Sequence, residues 1–134
     1  MAAQFPTIQQ DSESRPYWEG LAQGELRIQR CTTCLRADFY PCSVCPYCHA
    51  ETLIWIVASG RGTIYSYTVA HQAFGFFAGQ VPFIIAIIEL EEGVRMMSRI
   101  IDASREQVVI GKAVQVTFEQ ATEDLTLPYF RLVA

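Results

Sequence analysis

Two Cys-x-x-Cys pairs constrain this chain more than any other feature. Cys31-Thr32-Thr33-Cys34 is followed, ten residues on, by Cys45-Pro46-Tyr47-Cys48. Each pair turns the backbone tightly enough to set two sulfurs about one coordination edge apart, so four thiolates can converge on one tetrahedral ion. Leu26 and Ile28 alternate with polar neighbours ahead of the first pair, and the apolar run Leu53-Ile54-Trp55-Ile56-Val57 follows the second. Two short strands carrying two knuckles make a zinc ribbon. A fifth thiol, Cys42, stands three residues before Cys45 and creates an overlapping pair. Pro46 suits a tight knuckle between Cys45 and Cys48, so the expected ligands are Cys31, Cys34, Cys45 and Cys48, with Cys42 a spare on the connecting loop.

A closed four-cysteine zinc site is structural and contributes on the order of 10 kcal/mol to folding. Iron could use the same ligands, as in a red, rubredoxin-like electron carrier; the Cys-Pro spacing of a bacterial iron–sulfur run is absent. Two disulfides are the remaining alternative, disfavoured by the clustered spacing and by the lack of a secretion signal. Residues 1–10 show neither the basic start nor the apolar core of such a signal, and the apolar run at 81–88 is far below the roughly twenty residues that span a bilayer. The expectation is a cytoplasmic protein.

The 134 residues suffice for one ordinary domain's core, yet 51% are hydrophobic and only 18% charged, which leaves apolar residues for an interface. The net charge of −4 weighs against nucleic acid, because neutralising phosphates is the main source of non-specific affinity.

Along the chain, residues 1–13 form a polar arm in which Phe5, Pro6 and Ile8 could dock. A helix is expected from Ser14-Arg15-Pro16, with Ser14 as cap and Tyr17, Trp18 and Leu21 on one side, ending at Gly24. It should cover the ribbon, a partner or the chain's own core. Residues 63–69 alternate as a half-buried strand. The stretch from His71 to Gln80 lacks helical periodicity and carries Phe74, Phe76 and Phe77 where a loop should be polar. It reads as a lid, ligand contact or interface anchor, or as rings folded back to plug a barrel end. Residues 82–90 are so continuously apolar that both faces of that strand should be covered. A turn at Gly93 returns the chain through 94–101, residues 102–107 form a connection or one helical turn, and 114–119 make another strand. Residues 120–126 read as a polar loop and 127–133 as a final strand or docking tail. About five strands and no long helix after the ribbon point to a small barrel.

The order of these pieces resembles a known family. The helix, Gly24-Glu25-Leu26, the two knuckles, the run Gly60-Arg61-Gly62-Thr63-Ile64-Tyr65-Ser66-Tyr67-Thr68, the apolar strand from Pro82 to Leu90, Gly93, Gly111 and Pro128-Tyr129-Phe130 together look like zinc-ribbon plus OB-fold proteins associated with thiolases and acyl-CoA metabolism. The resemblance spans about residues 14–132. It implies a mainly β protein with an N-terminal helical segment (1–24), a rubredoxin-like zinc ribbon (25–57) and a C-terminal OB-fold barrel (58–134). It also implies an accessory subunit, or fused domain, of a thiolase-like enzyme: a thiolase, an acyltransferase, or an aldolase that shortens steroid side chains. Some members help receive coenzyme A. One departure is Leu35, which stands where a glycine often follows the second cysteine.

The residues themselves offer little catalysis. His49 and His71 are the imidazoles, the first expected on the ribbon surface and the second at the mouth of the aromatic loop. No nucleophile-elbow, P-loop or dinucleotide motif occurs. The favoured expectation is therefore a non-catalytic subunit that binds a thiolase-like enzyme and helps enclose a coenzyme A thioester. Arg61, His71, Phe74, Phe76 and Phe77 are the candidate contacts. The alternative is an OB-fold single-stranded nucleic-acid binder stacking bases on Tyr65 or Tyr67, distinguishable by steep salt dependence.

Overall fold

The computed structural model describes residues 5–133; the first four residues of the polar arm and residue 134 lie outside them. Helix α1 (Arg15–Ala22) begins as expected, with Pro16 in its first turn. Ser14 occupies the cap position but makes no side-chain capping bond; instead its own N–H donates to Asp11 Oδ1 at 2.8 Å. At the other end Gly24 takes φ +77°, and the Glu25 N–H reaches back to the Gly20 carbonyl at 2.8 Å while the Gly24 N–H reaches Leu21. This Schellman closure uses the left-handed conformation that glycine adopts at no steric cost.

The ribbon has three strands rather than two. β1 (Arg27–Cys31) lies between β2 (Ala37–Asp38) and β3 (Leu53–Val57), both antiparallel to it. The barrel follows: β4 (Arg61–Ala70), β5 (Phe83–Leu90), β6 (Arg95–Ile100), β7 (Ala113–Thr122) and β8 (Leu125–Leu132) close in the order β4-β5-β6-β8-β7. Closure depends on β8, which pairs along its length with β7 and touches β6 in parallel at Ile100 and Phe130. Of the two readings of residues 127–133, the barrel strand is the one observed. The expected polar loop at 120–126 is much shorter, because β7 runs on to Thr122 and β8 begins at Leu125.

Strand β5 corrects another expectation. Its residues alternate strictly: Ile84, Ala86, Ile88 and Leu90 are buried inside the barrel, whereas Phe83, Ile85 and Ile87 are only half-buried outside. Closed barrels bury one face of each strand. The apolar outer residues are therefore surplus surface, continued on β6 by the exposed Met97. Inside, Ile84 faces Ile100, Ile88 faces Met96, and Phe130 faces Val116. Leu26 and Ile28 of the ribbon and Tyr17 and Leu21 of α1 belong to the same buried cluster as Ile64 and Phe130. The helix thus covers the chain's own core, and ribbon and barrel share one interior. Phe130→Ala should lower unfolding free energy by about 3–5 kcal/mol, measured by chemical denaturation, because the fully buried ring leaves a cavity that both halves line.

Candidate metal centre and aromatic cleft

The ribbon brings Cys31, Cys34, Cys45 and Cys48 together: their Sγ atoms all lie within 4.8 Å of one another. The Cys31–Cys48 and Cys34–Cys45 separations are each 3.6 Å. A tetrahedron with zinc–sulfur bonds of about 2.3 Å has edges of about 3.8 Å, whereas a disulfide holds its sulfurs about 2.05 Å apart. All five cysteines are free, and the geometry fits the ion.

Each knuckle is built the same way. The Leu35 N–H donates to the Cys31 carbonyl and the His49 N–H to the Cys45 carbonyl, both at 2.9 Å. Leu35 and His49 both take left-handed backbone angles, φ 67° and 66°. The turn therefore keeps the conformation glycine would favour and forces a side chain into it. His49 is spent on this turn at the ribbon surface.

The electrostatics call for a cation. A hydrogen bond with the Thr52 hydroxyl, then the Cys34 N–H, lowers the Cys31 thiol to about 6, and the Cys48 N–H chiefly lowers Cys45. The Ala50 N–H would lower Cys48 as well, yet burial and the adjacent sulfurs of Cys31, Cys45 and Cys34 push it up to about 11. Four thiolates repel one another until a divalent ion joins them. Cys42 lies apart. Gln29, the buried polar residue of β1, receives the Cys42 N–H at 2.9 Å and donates to its carbonyl at 3.0 Å. This clamp fixes the loop by its backbone, and burial raises the Cys42 thiol further from reactivity.

The other predicted contacts separate. Arg61 opens β4 and pairs with Glu91 at the surface through two bonds, Nε–Oε1 at 2.8 Å and Nη2–Oε2 at 3.0 Å. Phe74 is 91% exposed. Phe76 and Phe77 instead sit in a 3₁₀ turn (Gly75–Gln80), edge-on to each other and to Phe5 of the arm, with Phe77 also against Phe83. His71 is exposed and lines a cleft of about 570 Å³ beside Phe83 and Arg99. Arg99, absent from the sequence-derived candidates, stacks on Phe83 with its guanidinium 4.6 Å from the ring centre. Its signal was an arginine amid the apolar return strand.

A four-cysteine ribbon and a closed five-stranded barrel sharing one core define a zinc-ribbon OB-fold protein. Residues 18–53 match the family model "ChsH2, rubredoxin-like zinc ribbon domain" and residues 55–119 match "ChsH2, C-terminal OB-fold domain". The chain is 42% identical over 96 residues to a DUF35 domain-containing scaffold protein of Methanocaldococcus jannaschii, covering 71% of this chain and 68% of that one. It belongs to this ChsH2, or DUF35, family. It is also 39% identical over 103 residues to the 3-oxo-4,17-pregnadiene-20-carboxyl-CoA hydratase alpha subunit of Mycobacterium tuberculosis, covering 76% of this chain but 32% of that one. The chain spans between 32% and 39% of the length of such hydratase relatives. Among solved structures, a chain of the Ltp2-ChsH2(DUF35) aldolase superposes with a TM-score of 0.85 at 32% identity, covering 97% of this chain and all of that one.

Cys45→Ser should abolish stoichiometric zinc, read by metal analysis of the purified protein, while Cys42→Ser retains it. Leu35→Gly should stabilise the holoprotein by about 0.5–1 kcal/mol, since relief of the left-handed strain exceeds the backbone entropy glycine adds. A lower melting temperature for that variant would show that the exposed Leu35 side chain makes a contact worth more than the strain.

Proposed function

We propose that this chain is a non-catalytic accessory subunit of a thiolase-like acyl-CoA enzyme, stabilising that partner and helping to enclose its coenzyme A thioester. The observation that carries the reading is the superposition of 97% of this chain on a whole chain of the Ltp2-ChsH2(DUF35) aldolase. A relative named as a subunit of an acyl-CoA hydratase and another named as a scaffold point the same way. The surface supports it: Phe74, Tyr40 and Met97 are large apolar side chains left open to water, and Met97 pairs across the strands with the half-buried Ile87 of β5. Exposed apolar residues gathered on one protein mark association surfaces. In this reading carbon–carbon bond chemistry belongs to the partner's residues, and the acyl group could be a steroid side chain. The zinc ribbon is structural and sets the pose of the partner-facing surface.

The test is affinity purification of the tagged chain from its own cells at high salt, with mass spectrometry of whatever stays bound at near-equal stoichiometry. A thiolase-like polypeptide is the expected result, lost with Cys45→Ala because the ribbon unfolds. Recovery of the chain alone, or with nucleic acid at low salt only, overturns the reading.

A further inference from the structure

Two segments of this chain have no strand ladder to hold them. Residues 5–10 of the arm make no backbone hydrogen bond to the rest of the described chain, and residues 71–82, which join β4 to β5, make none beyond those inside the 3₁₀ turn (Gly75–Gln80). Segments fastened by side chains alone open at little cost in free energy. Both are nevertheless seated, and they are seated on each other. Phe5 lies edge-on to Phe76 and to Phe77, with ring centres 5.1 and 5.8 Å away, and those two rings are edge-on to each other at 5.3 Å. Phe77 in turn meets Phe83, the first residue of β5, at 6.2 Å. Edge-to-face packing favours aromatic rings in definite positions, which unspecific apolar contact does not. One polar bond secures the far end of the turn, where Arg99 Nη1 donates to Gln80 Oε1 at 2.7 Å.

The arm meets the barrel at a second point. Ile8, three residues on from Phe5, is half-buried and lines a cleft of about 320 Å³ together with Thr122 and Leu125, where β7 turns into β8. Pro6, Thr7, Gln9 and Gln10 are exposed. Pro6 biases Phe5 toward extended backbone, so less conformational freedom is lost when the ring docks. The arm therefore has the make-up of a short linear ligand: two apolar anchors three residues apart, exposed residues between and after them, and no hydrogen-bonded structure of its own.

We propose that Phe76, Phe77 and Phe83 form an aromatic docking slot for a short linear peptide with an aromatic and an aliphatic anchor three residues apart, and that the arm of this chain is its ligand, bound in cis. Arm and turn order each other: a docked Phe5 holds the 3₁₀ turn in place, and undocking leaves both segments with little to fix them. A tethered ligand acts at a high local concentration, so a matching segment of another chain reaches the slot only by outcompeting the arm. The slot stands on these contacts alone, whatever enzyme the chain serves.

The test uses the purified, metal-loaded full chain and a fluorescently labelled synthetic peptide of residues 5–13. By fluorescence anisotropy the peptide should bind Phe5→Ala several-fold more tightly than wild type, because the emptied slot no longer faces its tethered competitor. A peptide with alanine in place of its phenylalanine should not bind. Hydrogen exchange read by mass spectrometry should show residues 75–80 exchanging several-fold faster in Phe5→Ala, slowing again when the peptide is added, with the ribbon strands unchanged. Adding Phe77→Ala to Phe5→Ala should lose the peptide; thermal melts separate lost binding from lost folding, and Phe76→Ala serves as the second slot variant should Phe77→Ala unfold. No peptide binding to Phe5→Ala at millimolar concentration, equal affinity for Phe5→Ala and wild type, or unchanged exchange over residues 75–80 overturns the proposal. If Phe5→Ala instead converts a dimer to a monomer in sedimentation velocity, Phe5 docks on a second copy and the cis assignment is wrong.

Discussion

The convergence of four sulfurs is the constraint on which the rest of the structure depends. The ribbon's three strands are two to five residues long, too short to hold a sheet by hydrogen bonding alone. Metal coordination replaces the missing interior: with the ion bound, thiolates that otherwise repel become the strongest local attraction, and the two knuckles lie between the end of β1 and the start of β3. β1 can then turn Ile28, and Leu26 just ahead of it, toward the barrel and complete a core that neither part encloses by itself. Loss of the ion would therefore reach well beyond the ribbon, into the packing of α1 and the barrel's covered end.

A second consequence concerns surface chemistry. A five-stranded barrel has room inside for one face of each strand, so a strand as apolar as β5 must leave Phe83, Ile85 and Ile87 outside. The chain carries part of this surplus by internal means. Phe83 is covered by Phe77 and by the Arg99 guanidinium, and Phe77 in turn by Phe76 and Phe5. Farther along the same face Met97 stays 67% exposed. Partial cover near the arm and open apolar surface beyond it divide the barrel exterior into a cleft region and an open apolar region.

Sequence and structure differ most where a side chain's partner lies far along the chain. Arg61 looked available because its neighbours are glycines; its partner Glu91 sits thirty positions on, brought close by the pairing of β4 with β5. The three phenylalanines looked alike in a loop without periodicity, but a 3₁₀ turn sends Phe76 and Phe77 to the arm and leaves Phe74 in water. Arg99 was unremarkable in a strand pattern, since only the folded barrel shows that Gln80 and Phe83 meet it.

What the sequence determined by itself was local and periodic. The cysteine spacing named the metal ligands and set Cys42 aside, the proline and glycine positions bounded the helix, and alternation located most of the barrel strands. These features are set by backbone geometry over a few residues, which is why they can be read without a fold. Tertiary structure decided the rest: which face of β5 is covered, that β8 closes the barrel rather than trailing away, that Leu35 is held at a glycine's angle, and which arginines find a carboxylate. Each of these depends on contacts between distant segments, where burial and charge pairing are fixed only when the chain has closed on itself.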